Sequence, residues 1–436
     1  MSSFRRIVFA AAIVALSPAL AAAAPRTPAT VLEADPFRAD ALLAGPLSAP
    51  VLRTYLKGVS AAGRLRDEEA LATLRQVAAA PQGDPALRRR AREVAGGVAL
   101  RAGRYREAAD LLGAALADAA DLAAPQRAEM EQSYELAEAL RAEPAQTRET
   151  SGSGGFDLAI SPLGLTTASA RIDGHDQVAV LDTGANLSTL SESAAKALGV
   201  RFVARQVGID SSAVGAITSR IAIADKVELG PVRLRNVVFL VLSDAALSPA
   251  GPERRIDAIL GLPVLAALGR LTFTETAAPG HGPGHGPTTR HLQIAPSAPT
   301  PRAGNLRFEA FDGFVQAGVN GERLPLLLDS GATRTALAKR YARERPERLR
   351  GLARSSTKVG GAGGGEVRET AILPELALRI GKRQLMLPNA PIETRSSGSD
   401  KVYGVIGADA LWAQGGYVLD FGRLNLSLAA PTDGPD

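Results

Sequence analysis

Residues 178–190 read Val178-Ala-Val-Leu-Asp-Thr-Gly-Ala-Asn-Leu-Ser-Thr-Leu190. A short apolar run drives into Asp182-Thr183-Gly184, and a small polar segment leaves it. The same grammar returns in Leu326-Leu-Leu-Asp-Ser-Gly-Ala-Thr-Arg-Thr-Ala-Leu337. One Asp-[Thr/Ser]-Gly tripeptide carries little information. Two of them, each behind an apolar strand and ahead of Ala-[Asn/Thr], point to two carboxylates supplied by two related halves.

The duplication extends outward from both motifs. Ile172-Asp173-Gly174 and Val319-Asn320-Gly321 each place a glycine eight residues before the motif aspartate. Asp-Gly and Asn-Gly are strong two-residue hairpin signals because both central positions take positive φ. Each half is therefore expected to open with a hairpin whose second strand delivers the aspartate. Short helices are expected at Glu192 to Leu198 and Ala336 to Ala342. A glycine-bearing hairpin follows in each half, through Gly208 and Gly215 in one and Gly360, Gly361 and Gly363 to Gly365 in the other. Ile259-Leu-Gly261 then lies 79 residues past Asp182 at its glycine, and Val405-Ile-Gly407 lies 78 past Asp329. Counting on, Leu271-Thr-Phe273 falls on Tyr417-Val-Leu419. The same register pairs Leu271 to Glu275 with Arg290 to Ile294, so the His-Gly-Pro run between them is a loop insertion. His281, His285 and His291 are metal-ligand candidates on residue type alone, but no acids accompany them, and no metal or other cofactor is expected.

With these residues in view, the region 156–430 resembles the aspartic-protease superfamily of the pepsins and retroviral proteases. The paired motifs and the downstream apolar-Gly segments carry the likeness. It implies Asp182 and Asp329 as catalytic residues sharing one proton across a pseudo-two-fold axis. That family dyad is a standard instance of like charges that cannot both ionise cheaply. It implies that Thr183 and Ser330 bond across to the opposite loop and lock the dyad. Gly184 and Gly331 let the backbone approach and donate N–H groups. Mobile flaps would carry Gly215, Gly361 and Gly363, in the manner of a retroviral-type protease fused head to tail. Arg334 departs from the usual small residue. Asp257 and Asp409 are expected to serve turns or the surface.

The rest of the chain differs in composition. Arg5 and Arg6 precede an apolar run from Ile7 to Leu20, with an Ala-rich cleavage site before Pro25. That is the layout of a secretory signal peptide over 1–24, with a membrane anchor only if it stays uncleaved. The expected location is therefore outside the cytoplasm, in the periplasm of a Gram-negative bacterium. The chain has no cysteine, which excludes disulfides and thiolate chemistry. Residues 25–148 read as helices, with Ala70, Leu71, Leu74 and Val77 at helical spacing. Leu100 to Leu112, turning at Gly103 and packing Tyr105, Ala108 and Ala109, resembles a tetratricopeptide junction. A flexible linker is expected at 149–155, lobes at 156–294 and 304–430, and an inter-lobe linker at 295–303.

The expected fold is thus multidomain: an N-terminal all-α helical region followed by an all-β, duplicated, two-lobe aspartic-protease fold. Aromatics are only 4% of residues and do not interleave with the basic ones, so the net charge of +5 does not mark a nucleic-acid binder. The leading expectation is an endopeptidase acting on polypeptide, with the helical region a docking surface for a protein partner or a removable prosegment. The alternative is a non-catalytic peptide-binding or scaffold protein.

Overall fold

The computed structural model describes residues 27–429, apart from 34, 47–48, 81–83, 212–214, 250, 278–287, 298–303, 362–363 and 396–400. The signal segment expected at 1–24, Gly363, His281 and His285 lie outside the described residues.

The helical region consists of α1 (Ala29–Leu32), α2 (Pro36–Leu43), α3 (Pro50–Gly63), α4 (Asp67–Ala78), α5 (Pro85–Arg101), α6 (Tyr105–Ala117) and α7 (Ala124–Ala139). Their starts are written in the sequence. Asp35 accepts hydrogen bonds from the Phe37 and Arg38 amides, and Asp84 from Ala86. Both thereby satisfy amides that the first helical turn leaves open. Ala70, Leu71, Leu74 and Val77 are all buried, as their spacing predicts.

One helical hairpin was legible at Gly103, which has φ +72°. A second, 38 residues earlier, has the same geometry and no glycine at its turn: Leu65 takes φ +55° there. The agreement extends to packing. A Cβ on Gly58 would stand 2.6 Å from Leu74 Cγ, and one on Gly96 would stand 2.6 Å from Leu112 Cγ. The helices of each pair thus cross at a bare backbone. Gly96→Val is expected to cost about 1–3 kcal/mol through overpacking, read as a lowered melting temperature.

From Thr147 onward the chain is β-rich. The segment expected to be a flexible linker, 149–155, is largely strand instead. Thr147–Ser151 pairs antiparallel with Val232–Leu242, and Gly154–Ile160 pairs with Thr288–Ala295. Unpaired edges recruited it, since a Gly/Ser stretch can supply backbone hydrogen bonds to any neighbouring strand. Ala295, placed in the inter-lobe linker from sequence, ends that same strand.

Each lobe opens with its expected hairpin. Thr166–Ile172 turns into His175–Leu181, and Asp312–Val319 turns into Glu322–Leu328. Both turn residues take positive φ in each case: Asp173 46° and Gly174 88°, Asn320 49° and Gly321 90°. The turn side chains also tie to the neighbouring strand of the same sheet in the same way. Asp173 Oδ1 accepts from Lys226 N (2.8 Å) and Asn320 Oδ1 from Ala377 N (3.0 Å). A short helix at Glu192–Leu198 lies where expected, whereas its counterpart at 336–342 is a two-residue strand followed by a helix at Lys339–Glu344.

Two long hairpins complete the lobes: Arg201–Ser211 with Gly215–Leu229, and Ala353–Gly361 with Gly364–Ile380. The C-terminal hairpins of the two lobes are not separate. Arg270–Ala277 pairs with Gly416–Asp420, joining the lobes in one sheet. Phe273 stacks on Tyr417 at 4.3 Å, and Trp412 packs edge-on against both. The main apolar core runs through both lobes, from Ala179 and Leu181 to Leu326 and Leu328.

Candidate active site

The two motif loops face each other at the junction of the lobes. Each aspartate leaves a strand laid parallel to its own apolar-Gly strand. Val180 and Leu181 pair with Ile259 and Leu260; Leu327 and Leu328 pair with Val405 and Ile406. The backbone continues the pattern, with Asp182 N donating to Leu260 O and Asp329 N to Ile406 O, both at 3.1 Å. Val180, Leu181, Ile259 and Leu260 are buried in the first lobe, and Leu328 and Ile406 in the second, which suits the apolar ends of these strands.

Thr183 and Ser330 make four hydrogen bonds that cross between the two halves. Thr183 N donates to Ser330 Oγ (3.0 Å) and Ser330 N to Thr183 Oγ1 (2.9 Å). The hydroxyls then donate onward to the opposite strand, Thr183 Oγ1 to Leu328 O and Ser330 Oγ to Leu181 O, both at 3.0 Å. Both side chains are buried. Each hydroxyl accepts one bond and donates one, so neither can be removed without orphaning a buried amide. Thr183→Val is expected to cost about 2–3 kcal/mol by that route and to loosen the carboxylates; thermal melts beside turnover measurements check it.

The glycines have a steric reason that only the tertiary structure supplies. A Cβ on Gly184 would lie 2.5 Å from Asp329 Cγ, and one on Gly331 would lie 2.4 Å from Asp182 Cγ. Each carboxylate therefore rests on the other loop's bare backbone. Asp182 Oδ1 accepts from Gly184 N (2.8 Å) and from Gly331 N across the interface (3.1 Å). Asp329 Oδ1 accepts from Ala332 N at 2.8 Å. The two carboxyl groups are within hydrogen-bond reach of one another. Both sit deep in the floor while keeping a partial opening to solvent. Desolvation raises Asp182, against amide bonds that lower it. Desolvation and then the charge of Asp182 raise Asp329. Two carboxyls so placed hold one proton between them and can act as a base and an acid at once.

Sequence reasoning passed over a supporting pair. Ser188 Oγ accepts from Gly261 N (3.1 Å), and Thr335 Oγ1 accepts from Gly407 N (3.0 Å). They stand six residues past each aspartate, so the duplicated register contained the signal. Asp409 accepts from Thr335 N and Oγ1, and Asp257 from Ser191 Oγ. Both acids thus brace the motif loops. Arg334 is exposed and donates to the Pro388 and Asn389 carbonyls. His291 stands against Asp157, with Nδ1 3.0 Å from Oδ1. Gly215 pairs with Ser211, and Gly361 with Gly364, at the ends of the two long hairpins.

This is a two-lobed, internally duplicated β fold behind a helical region. Residues 168–264 and 315–410 each match the sequence model of a family described as aspartyl protease, one match in each lobe with one aspartate apiece. Those matches support the aspartic-protease superfamily for the two lobes. A solved structure, a retropepsin-like aspartic protease from Rickettsia conorii, is similar at 15% identity over 34% of this chain and 94% of that chain, with a TM-score of 0.21. That likeness is too slight to bear on the fold. No curated protein matches the chain.

Proposed function

We propose that the chain is an aspartic endopeptidase that hydrolyses peptide bonds with a water held between Asp182 and Asp329. The observation that carries the reading is the pair of carboxylates, each seated on the other lobe's glycine and fixed by the Thr183–Ser330 cross-bonds. One carboxylate takes a proton from the water while the other, protonated, donates to the scissile carbonyl oxygen. The pair titrates as a unit. The additional amide on Asp182, from Gly331, biases the resting charge toward Asp182 and the proton toward Asp329. No covalent intermediate is needed, and the chain offers no cysteine to form one. The test is hydrolysis of an unstructured polypeptide by the protein from Pro25 onward, across acid to neutral pH.

The long hairpins, with Gly215 and Gly361 near their ends, are the covers of the cleft in this reading. The paired helical hairpins, turning at Leu65 and Gly103, support a tetratricopeptide-like character for residues 25–148. Export through the segment 1–24 to the periplasm completes the proposal; fractionation of the native cells, with the mature N-terminus read by mass spectrometry, checks it.

The raised carboxyl pKa values set a pH dependence of stability. A carboxyl raised in the folded state stabilises the fold while protonated, below its unfolded value, and that contribution is lost as pH rises through the folded value. Asp329→Asn removes the buried charge. It is therefore expected to stabilise the fold by about 1–2 kcal/mol near pH 9, with little gain near pH 4. Thermal melts at the two pH values read the difference.

A further inference from the structure

The two long hairpins are copies of one element, yet the helical region treats them differently. Its apolar core does not end at the helices. It continues into Val207, Ile221 and Ile223 of the first hairpin, together with Leu187 and Val238 of the same lobe. Ile221 and Ile223 are fully buried and Val207 nearly so. Polar contacts follow the same seam from α7 and the turn after it. The Gly208 amide faces Glu135 Oε2 at 3.4 Å, Arg205 faces Glu138 at 3.9 Å, and Arg201 makes a two-pronged pair with Glu143 at 2.6 and 3.1 Å. Gly208 is only three residues from Ser211, where the strand pairing ends.

Among the described residues, none of the second hairpin belongs to the helical core. Its alternating positions carry a different chemistry. Arg368 pairs with Glu393 and Thr370 with the Ser355 carbonyl, and Ile372, the register match of Ile221, is only partly buried. Val367 on its other face is 67% exposed. The helical region does reach the second lobe, through its opening strands and, from Glu129 on α7, through Lys401. Buried Arg307 pairs with Asp40, Arg90 pairs with Glu309, and Arg101 donates to Ala310 O. It is thereby tied to both lobes and, among the described residues, its apolar core takes in one hairpin only.

We propose that the helical region is a fixed brace on the first hairpin, so that passage into the cleft is governed by the second hairpin alone. The duplicated halves, equivalent at the dyad, are made unequal above it: one hairpin becomes a wall and the other a lid. Burial of three branched side chains in a shared core holds a strand far more tightly than solvated ion pairs can. A lid has to open and close at little cost, which a hairpin free of the helices can do. A removable prosegment is the wrong description for a region whose loss would strip an apolar face from the first lobe. The role of lid rests on the peptidase reading; the brace itself does not.

Hydrogen exchange on the full chain from Pro25 onward, without ligand, tests the brace. Amides of residues 206–211 and 215–223 are expected to exchange at least about tenfold more slowly than those of 355–361 and 364–372. Equal rates, or a slower second hairpin, would overturn it. A second arm uses the absence of native cysteine: Glu138→Cys on α7 and Arg205→Cys on the first hairpin are joined by a bismaleimide. Hydrolysis is expected to stay within about twofold of the unbridged double variant, whereas a tenfold loss on bridging shows that the first hairpin must move. The two readings fail separately. Hydrolysis that ignores both aspartates removes the peptidase and leaves the exchange contrast standing; equal exchange with a working dyad removes the brace and leaves the peptidase.

Discussion

Asp182→Asn and Asp329→Asn are each expected to lower peptide hydrolysis by at least ~10³-fold, because one residue supplies the base and the other the acid of a single step. The two losses should not add in the double variant, since either change alone disables a pair that works as a unit. Folding is expected to survive both changes. Asn fills the same volume, and its side-chain oxygen can still accept from the Gly184, Gly331 and Ala332 amides that surround the carboxylates. Turnover of an unstructured polypeptide, with circular dichroism on each variant, is the measurement. Hydrolysis that persists in either variant at the parent rate would remove the dyad from the mechanism.

The next largest effect is expected from a single methyl group. Gly331→Ala sets a Cβ 2.4 Å from Asp182 Cγ, and Gly184→Ala one 2.5 Å from Asp329 Cγ. Neither distance can be kept, so the carboxylate or the loop must move. Because misplacement on the order of 1 Å costs about a hundredfold, each variant is expected to lose ~10²-fold in turnover. Overpacking adds about 1–3 kcal/mol of destabilisation. Gly174→Ala provides the contrast. It sits at φ +88° with open space around it, so it should pay about 1–2 kcal/mol of backbone strain and leave turnover unchanged. If Gly331→Ala and Gly174→Ala affect hydrolysis alike, the close approach is not what positions Asp182.

The legible part of the fold was the part that repeats. Asp173-Gly174 and Asn320-Gly321 announce their turns because few residues accept two consecutive positive φ values. The nearly equal spacing to Gly261 and Gly407, 79 and 78 residues past the aspartates, then places each apolar strand beside its motif. The helical pair at Gly103 was visible for the same reason, and the pair at Leu65 was not, because tertiary packing forces a positive φ on a residue that does not advertise one. Segment 149–155 misled in the opposite sense. Its Gly and Ser residues predict freedom, and neighbouring strand edges captured them. The short strand at Ala336–Leu337 was read as helix since two residues carry no period.

By itself, the sequence determined that there are two carboxylates on two copies of one strand-turn motif, with a helical region ahead of them and no thiol chemistry available. Local turn chemistry and a repeated register are short-range signals, and they survive without any knowledge of the fold. Only the tertiary structure decided that each glycine supports the other copy's aspartate and that the lobes share a sheet through Phe273 and Tyr417. It alone decided that the helices hold one hairpin and leave its twin. Those are contacts between residues up to about 150 positions apart, set by how apolar faces find one another, and no periodicity along the chain encodes which face will be covered.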